Sequence, residues 1–166
     1  MSVNLELKIR VNSHNRVKKI LSEIGAVYSG LLLQKDIYYQ TEKGLLKMRI
    51  EGKSSQLIFY NRDEKGKDRW SDYHILKFDS AEAFKYFDRF MTRTVVVQKR
   101  RELYIFHDTR IHLDTVKLLG RFIELETVVK KSKADARKQF DHLVKIMGFN
   151  LSDEIKASYR NLIEQK

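Results

Sequence analysis

The segment Asn4-Leu5-Glu6-Leu7-Lys8-Ile9-Arg10 alternates polar and apolar residues without a break. Successive side chains of a β-strand point to opposite faces, so Leu5, Leu7 and Ile9 share one side and Asn4, Glu6, Lys8 and Arg10 the other. One face is fit for burial. The other gathers one acid and two bases, and it is either a solvated sheet face or the first wall of a charged binding site. Arg110-Ile111-His112-Leu113-Asp114 alternates just as strictly.

The rest of the chain continues in short extended segments. Ser13 is placed to cap a helix in which Val17, Ile20, Leu21 and Ile24 recur at helical spacing, with Gly25 as its stop. Residues 31–39, 45–51 and 57–62 read as strands, followed by a polar loop at 63–67 containing Gly66 and a further strand within 69–78. Ser80 then opens a short helix through about Arg89. Residues 94–101 return to strand, 103–107 pair beside them, and 110–114 and 121–129 follow, the last after a turn at Gly120. The tail is helical: Ser132 with Asp135 forms a capping pattern ahead of a stripe from Ala136 to Met147, and Ser152 opens a last helix carrying Ile155, Tyr159, Leu162 and Ile163. Hairpin-length connections dominate. The expected fold is α+β, an antiparallel β-barrel of eight or nine strands with flanking helices.

Length and composition narrow the function classes. A chain of 166 residues with no proline and no low-complexity linker is expected to form one domain across residues 1–166. Cysteine is absent, which removes disulfides, thiolate metal sites and cysteine nucleophiles. No apolar run approaches the roughly 20 residues that span a bilayer, and the first residues carry no leader pattern. A soluble cytoplasmic protein with no membrane partner is the expectation. The net charge of +11 favours an anionic ligand, and nucleic acid, an acidic membrane surface and a polyphosphate would all serve.

Where the charges fall is more selective. Taking one face from each strand collects Glu6, Lys8, Arg10, Lys47, Arg49, Lys99, Arg101, Arg110, His112, Asp114, Glu124 and Glu126. Alternation alone also describes the wet face of an antiparallel sheet. Such faces usually mix Thr, Ser and Gln with Lys, whereas these positions are Arg, Lys, Glu, Asp and one His, with like charges in succession at Lys47/Arg49, Lys99/Arg101 and Glu124/Glu126. A bound polyanion would relieve the cations and a divalent cation the carboxylates. Hard cations such as Mg²⁺ need only one or two protein carboxylates besides substrate phosphate and water, so Glu6, Glu124, Glu126 and Asp114 suffice as donors.

These residues, in this order, resemble a known family. Asn4-Leu5-Glu6-Leu7-Lys8 is similar to the Glu-x-Glu-x-Lys signature of the CYTH superfamily, which includes class IV adenylyl cyclases, thiamine triphosphatases and tripolyphosphatases. Further similarity lies in Gln34-x-Asp36-x-Tyr38, Leu46-Lys47-Met48-Arg49, Lys99-x-Arg101-x-x-Tyr104, Arg110 to Asp114, Leu119-Gly120-Arg121-Phe122-Ile123-Glu124-Leu125-Glu126 and Ser158-Tyr159. The cyclase branch is the nearest in pattern. The resemblance implies a triphosphate tunnel, a barrel open at both ends with charged faces inward. It implies that Lys8, Arg10, Lys47, Arg49, Lys99, Arg101 and Arg110 hold the triphosphate, and that Glu6, Glu124 and Glu126, supported by Asp114, hold Mg²⁺ or Mn²⁺. Glu6, Lys8, Glu126 and His112 are the expected catalytic groups. The implied reaction is ATP to 3′,5′-cyclic AMP and pyrophosphate. Hydrolysis of thiamine triphosphate, tripolyphosphate or ATP is the alternative, and a non-catalytic module binding polyphosphate, nucleotide or a triphosphorylated RNA end is the third reading.

Three departures mark this chain. Asn4 stands where the signature has its first glutamate, and an amide oxygen brings no charge to a cation. Asn61 stands near a phosphate-binding lysine position, with Arg62 in the other register as its substitute. Ser71 and Tyr73 fall where carboxylates are common in the triphosphatases. Lys130, Lys131 and Lys133 form a basic cluster without interleaved aromatics, so nucleic acid is not the expected partner. Trp70 would either stack on a substrate ring at a tunnel mouth or pack. A homodimer is left open.

Overall fold

The computed structural model describes residues 2–62 and 70–166. The loop expected at 63–67 and Arg69 lie outside the described residues. β1 (Ser2–Val11) leads to α1 (Asn15–Glu23), then to β2 (Val27–Tyr39), β3 (Leu45–Glu51), β4 (Ser54–Arg62) and β5 (Trp70–Phe78). A short helix, α2 (Ala83–Phe87), precedes β6 (Arg93–Phe106), β7 (Thr109–Val116) and β8 (Gly120–Val128), and the chain ends in α3 (Lys133–Met147) and α4 (Tyr159–Glu164). The strands close in the order β1-β5-β4-β3-β2-β6-β7-β8, every neighbouring pair antiparallel.

The barrel has its apolar side outside. Leu5, Leu7 and Ile9 of β1 join Ile111, Leu113, Ile123 and Leu125 of β7 and β8 in a core covered by Val17 and Leu21 of α1 and by Phe140, Leu143, Val144 and Met147 of α3. A second cluster sets Ile37, Tyr39 and Met48 under Phe84 and Phe87 of α2. Helices therefore bury much of the outer face, though Leu33 of β2 and Leu76 of β5 stay exposed there, and the alternate residues are turned to the barrel axis. α3 is well bounded. Ser132 Oγ accepts from the Asp135 amide at 3.1 Å and donates to its carboxylate at 2.7 Å, and Gly148 ends the helix at φ 63°, a conformation glycine adopts without a Cβ penalty. Among the described residues no helix is long and apolar enough to cross a membrane.

Several boundaries differ from expectation, each for a local reason. Residues 94–101 and 103–107 are one strand, β6, which sets the count at eight: Lys99, Arg101 and Leu103 continue a single inward register, and only the chemistry of that register changes. The N-cap of α1 is His14, with Ser13 Oγ accepting from the Asn15 amide. α2 starts after Glu82, whose amide donates to Ser80 Oγ, and ends at Phe87. Ser152 opens no helix. Residues Leu151–Asp153 form a single 3₁₀ turn, Glu154 bridges to Ile9, and the Ile155 amide donates to the Lys8 carbonyl at 2.8 Å, which holds this stretch extended. α4 begins only after Ser158, whose Oγ accepts from the Asn161 amide at 3.1 Å. The segment from 154 to 164 thus folds across one barrel end, placing Tyr159 with Tyr38, Val97 and Phe122 in a third cluster. Ser158 and Tyr159 of this segment join the lining of the barrel interior.

Candidate active site

The inward residues line a cavity with about 1010 Å³ of empty space, open mouths included. Its walls are chemically divided. β2, β3 and the first half of β6 contribute cations around one acid. Asp36, 1% exposed, accepts two hydrogen bonds from the Arg49 guanidinium, both at 2.8 Å, and lies 3.1 Å from Lys47 Nζ and 3.3 Å from Lys99 Nζ. Strand pairing dictates this convergence, because Asp36 stands opposite Arg49 on β3 and Val97, two residues before Lys99, on β6. Three cations share one carboxylate.

The facing wall comes from β1, β7 and β8 and carries the acids. Register sets Glu6 opposite Glu126 and Lys8 opposite Glu124, with His112 opposite Glu124 on the other side. Arg101 reaches across from β6, donating from Nε and Nη2 to both oxygens of Asp114 at 2.7 and 2.6 Å, and from Nη2 to Glu124 at 2.7 Å. Arg110 Nη2 lies 2.9 Å from Glu126 Oε2. Lys8 Nζ donates to the Ala157 carbonyl at 2.7 Å, lies 3.4 Å from Glu124 and sits 4.2 Å from the centre of the Tyr159 ring. The C-terminal segment therefore holds one of the lining cations directly.

These neighbours fix the protonation states. Burial, with Arg49 and Lys99 adding repulsion, lowers Lys47 to about 7 against the pull of Asp36, and burial followed by Arg101 also lowers Lys99. Burial alone would protonate Asp36, but Arg49, Lys47 and Lys99 outweigh it and hold the carboxyl well below the usual range. Burial likewise works against Glu124, where Lys8 leads the cations that keep it ionised. Glu126 is held at about 2 against burial by His112, Arg110 and Arg101. His112 itself is lowered by burial and then by Arg101, with Glu126 opposing. A neutral His112 withdraws its own charge from Glu126, so at neutral pH Arg110 and Arg101 are the groups that keep that carboxylate ionised.

Buried cations face buried carboxylates on the inner wall of an eight-stranded barrel, the arrangement that the resemblance implies. The CYTH domain model matches residues 3–159. The chain belongs to the CYTH domain family. In fold it is similar to the PH1012 protein of Pyrococcus horikoshii OT3, at TM-score 0.83 and 22% identity over 96% of this chain and 98% of that one. It is similar to a candidate adenylate cyclase of Vibrio parahaemolyticus at TM-score 0.78 and 18% identity, over 97% of each chain. It is also similar to a Hippeastrum protein, a candidate adenylyl cyclase described as having a dominant triphosphatase activity, at TM-score 0.71 and 13% identity over 99% of this chain and 96% of that one. No curated protein matches it by sequence.

In this CYTH domain Glu6, Lys8, Lys47, Arg49, Lys99, Arg101, Arg110, His112, Glu124 and Glu126 all line the one cavity. Two expected residues do not. Arg10, near the end of β1 and still paired with Phe122 of β8, is exposed; its guanidinium meets the Leu119 carbonyl and lies 4.6 Å from the centre of the Phe122 ring. Asp114 is wholly buried behind Arg101 and accepts from the Tyr159 hydroxyl at 2.9 Å, so it orients these two side chains and has no open face for a cation. Arg62 lies on β4 opposite Ser71; its side chain is outside the described residues. Trp70 stands opposite Leu5, packs against the outer core and carries Lys133 Nζ 4.9 Å above its ring. Asn4, with its amide turned to satisfy both neighbours, accepts from Arg110 Nη2 at 3.0 Å and donates to the Val3 carbonyl at 3.2 Å, so its oxygen serves the arginine.

Asp36 is the central residue that the charge pattern overlooked, since a lone acid in Gln34-x-Asp36-x-Tyr38 breaks no run of like charges. Tyr38, Tyr60 and Tyr159 also line the cavity. Lys47 Nζ lies 5.6 Å from the ring centre of Tyr38 and 5.2 Å from that of Tyr60. Leu32, Ile58, Ile75 and Leu103 add an apolar stretch to the lining.

Proposed function

We propose that this protein is a divalent-cation-dependent enzyme acting on a nucleoside triphosphate within the barrel, with conversion of ATP to 3′,5′-cyclic AMP and pyrophosphate as the favoured reaction. The observation that carries this reading is the division of one cavity into a wall with more cations than Asp36 can neutralise and a wall of ionised carboxylates. A triphosphate tail would complete the first wall. Lys47, Arg49 and Lys99 would bind its oxygens, the arginine through its planar fork and the lysines as point charges. The apolar stretch of Leu32, Ile58, Ile75 and Leu103 favours a triphosphate that carries an organic group over inorganic tripolyphosphate.

The donor set fits a divalent cation. Glu124 and Glu126 are ionised, and the His112 Nδ1 beside them is buried with no hydrogen-bond partner. Bound there, Mg²⁺ or Mn²⁺ would supply charge to polarise the phosphoryl group under attack. The protein's own residues do the rest. Arg101 and Arg110 fix the two carboxylates, Lys47, Arg49 and Lys99 neutralise charge developing on the departing pyrophosphate, and Glu6, on the same wall as Glu126, accepts the proton of the attacking hydroxyl. Lys8 orients Glu124 from below.

Hydrolysis is the second reading, favoured by the structural similarity to the Hippeastrum protein with dominant triphosphatase activity. The two reactions differ in the nucleophile, the ribose 3′-hydroxyl or water. Incubation with ATP, thiamine triphosphate and tripolyphosphate, each with Mg²⁺ or Mn²⁺, followed by product separation, distinguishes them. Cyclic AMP with pyrophosphate is expected; orthophosphate would move the assignment to hydrolysis, and the absence of any product would refute both.

A further inference from the structure

His112 lies opposite Glu124 on the barrel wall and is 4% exposed. Its Nδ1 faces both lining carboxylates, 3.6 Å from Glu126 Oε1 and 3.9 Å from Glu124 Oε2. Both distances exceed a hydrogen bond, and Nδ1 has no partner. A buried ring nitrogen aimed at two carboxylates yet bonded to neither requires an explanation. The carboxylates are themselves held from outside: Arg110 takes Oε2 of Glu126, Lys8 approaches Oε1 of Glu124, and Arg101 takes its Oε2. That leaves Glu126 Oε1 turned toward the imidazole. Ligand atoms from His112, Glu124 and Glu126 all lie within 4.8 Å of one another, a span one ion can close.

The geometry points to His112 as a nitrogen ligand that completes a His-Glu-Glu site, which makes the cavity selective for Mn²⁺ and other first-row transition ions over Mg²⁺. This inference rests on the divalent-cation reading given above and specifies it. An all-oxygen site suits Mg²⁺, which keeps most of its water and holds imidazole poorly, whereas Mn²⁺, Fe²⁺, Co²⁺ and Zn²⁺ accept nitrogen donors readily. As a ligand through Nδ1, His112 is unavailable as a general base, and the proton-accepting role stays with Glu6. Among the described residues this is the one group of three or more such side chains close enough to share an ion.

Mn²⁺ added to the full chain, with a non-hydrolysable ATP analogue and without it, provides the test. The decline of the free-ion paramagnetic resonance signal measures binding, and pulsed measurement on the bound ion reads nitrogen coupling directly. The expected result is a nitrogen coupling that changes on incorporation of ¹⁵N-histidine and disappears in His112→Gln, with Mn²⁺ affinity reduced about tenfold in that variant, in line with losing one donor. Mn²⁺ bound without histidine nitrogen coupling would overturn the His112 assignment and leave the carboxylate site standing. Failure of Mn²⁺ to bind in either condition would overturn both. The labelled parent protein decides the question even if the variant folds poorly.

Discussion

Lys47 ties polyanion binding to proton uptake. Its ammonium is buried beside Arg49 and Lys99 with only a share of Asp36, and its pKa falls from the usual 10.5 to about 7. At pH 8, one unit above that value, about 10% of the free protein carries the proton. A triphosphate tail brings negative charge against the same ammonium and returns its pKa toward the unperturbed range, so the bound form is protonated almost completely. Binding at pH 8 should take up about 0.9 proton through Lys47, falling to about 0.1 at pH 6, where the site is already charged. By the same linkage, affinity should drop close to tenfold per pH unit between about 7 and 10. Calorimetric titration with ATP in a chelator, in two buffers of different ionisation heat, measures the uptake. At pH 8 the phosphate oxygens are already ionised, since the second phosphate pKa is about 6. Lys99 is also depressed and adds in the same direction, so the difference between the parent protein and Lys47→Met isolates the Lys47 share. Uptake below about 0.2 proton, or uptake undiminished in Lys47→Met, would refute the reasoning.

Other consequences follow from the two charged walls. Asp36→Asn leaves Arg49, Lys47 and Lys99 without their shared carboxylate and should cost about 3–5 kcal/mol in urea denaturation, the penalty of stranding buried charge; a loss under about 1 kcal/mol would contradict the central role given to Asp36. Asp36, Glu124 and Glu126 all have carboxyls depressed by folding, so their contribution is complete above the unfolded carboxylate range and is lost as pH falls toward the Glu126 value of about 2. Thermal midpoints should therefore decline steadily below about pH 4.5, and a flat profile down to pH 2.5 would exclude ionised carboxylates in the barrel. Tyr159→Phe removes the hydroxyl that donates to Asp114 and should lower stability by about 1.5–3 kcal/mol while speeding amide exchange in residues 154–164; unchanged exchange there would show that Tyr159 does not pin the segment.

The barrel was legible because its signal is local. Alternation at 4–10 and 110–114 fixes which residues share a face, but not which face a closed barrel turns inward; that step rests on the ordered resemblance to the CYTH motifs. With the charged faces inward, as the resemblance implies, Lys47, Arg49, Lys99, Glu124 and Glu126 come together in one cavity. What local pattern cannot carry is the allocation of a side chain once several compete. Asp114 sits in the correct register for a metal ligand, yet it is consumed by Arg101 and by a tyrosine 45 residues further along the chain. Arg10 follows the alternation too, but its side chain is exposed and spent on the Leu119 carbonyl and the Phe122 ring. The expected break between 101 and 103 is absent because the ladder runs on unbroken through Arg101, Glu102 and Leu103; only the inward register changes there, from Lys99 and Arg101 to Leu103. The last helix was misplaced for the opposite reason: Ser152 and Ser158 are equivalent as caps in sequence, and the strand-like pairing of 154–155 with β1 decides between them.

The proposed activity depends most on a triphosphate lying between the two walls. A crystal structure of the protein with a non-hydrolysable ATP analogue and Mn²⁺ tests this directly. The phosphate oxygens are expected on Lys47, Arg49 and Lys99 inside the barrel, with the anomalous signal of manganese beside Glu124 and Glu126. A nucleotide bound on the outer surface, or an ion remote from those two carboxylates, would contradict it.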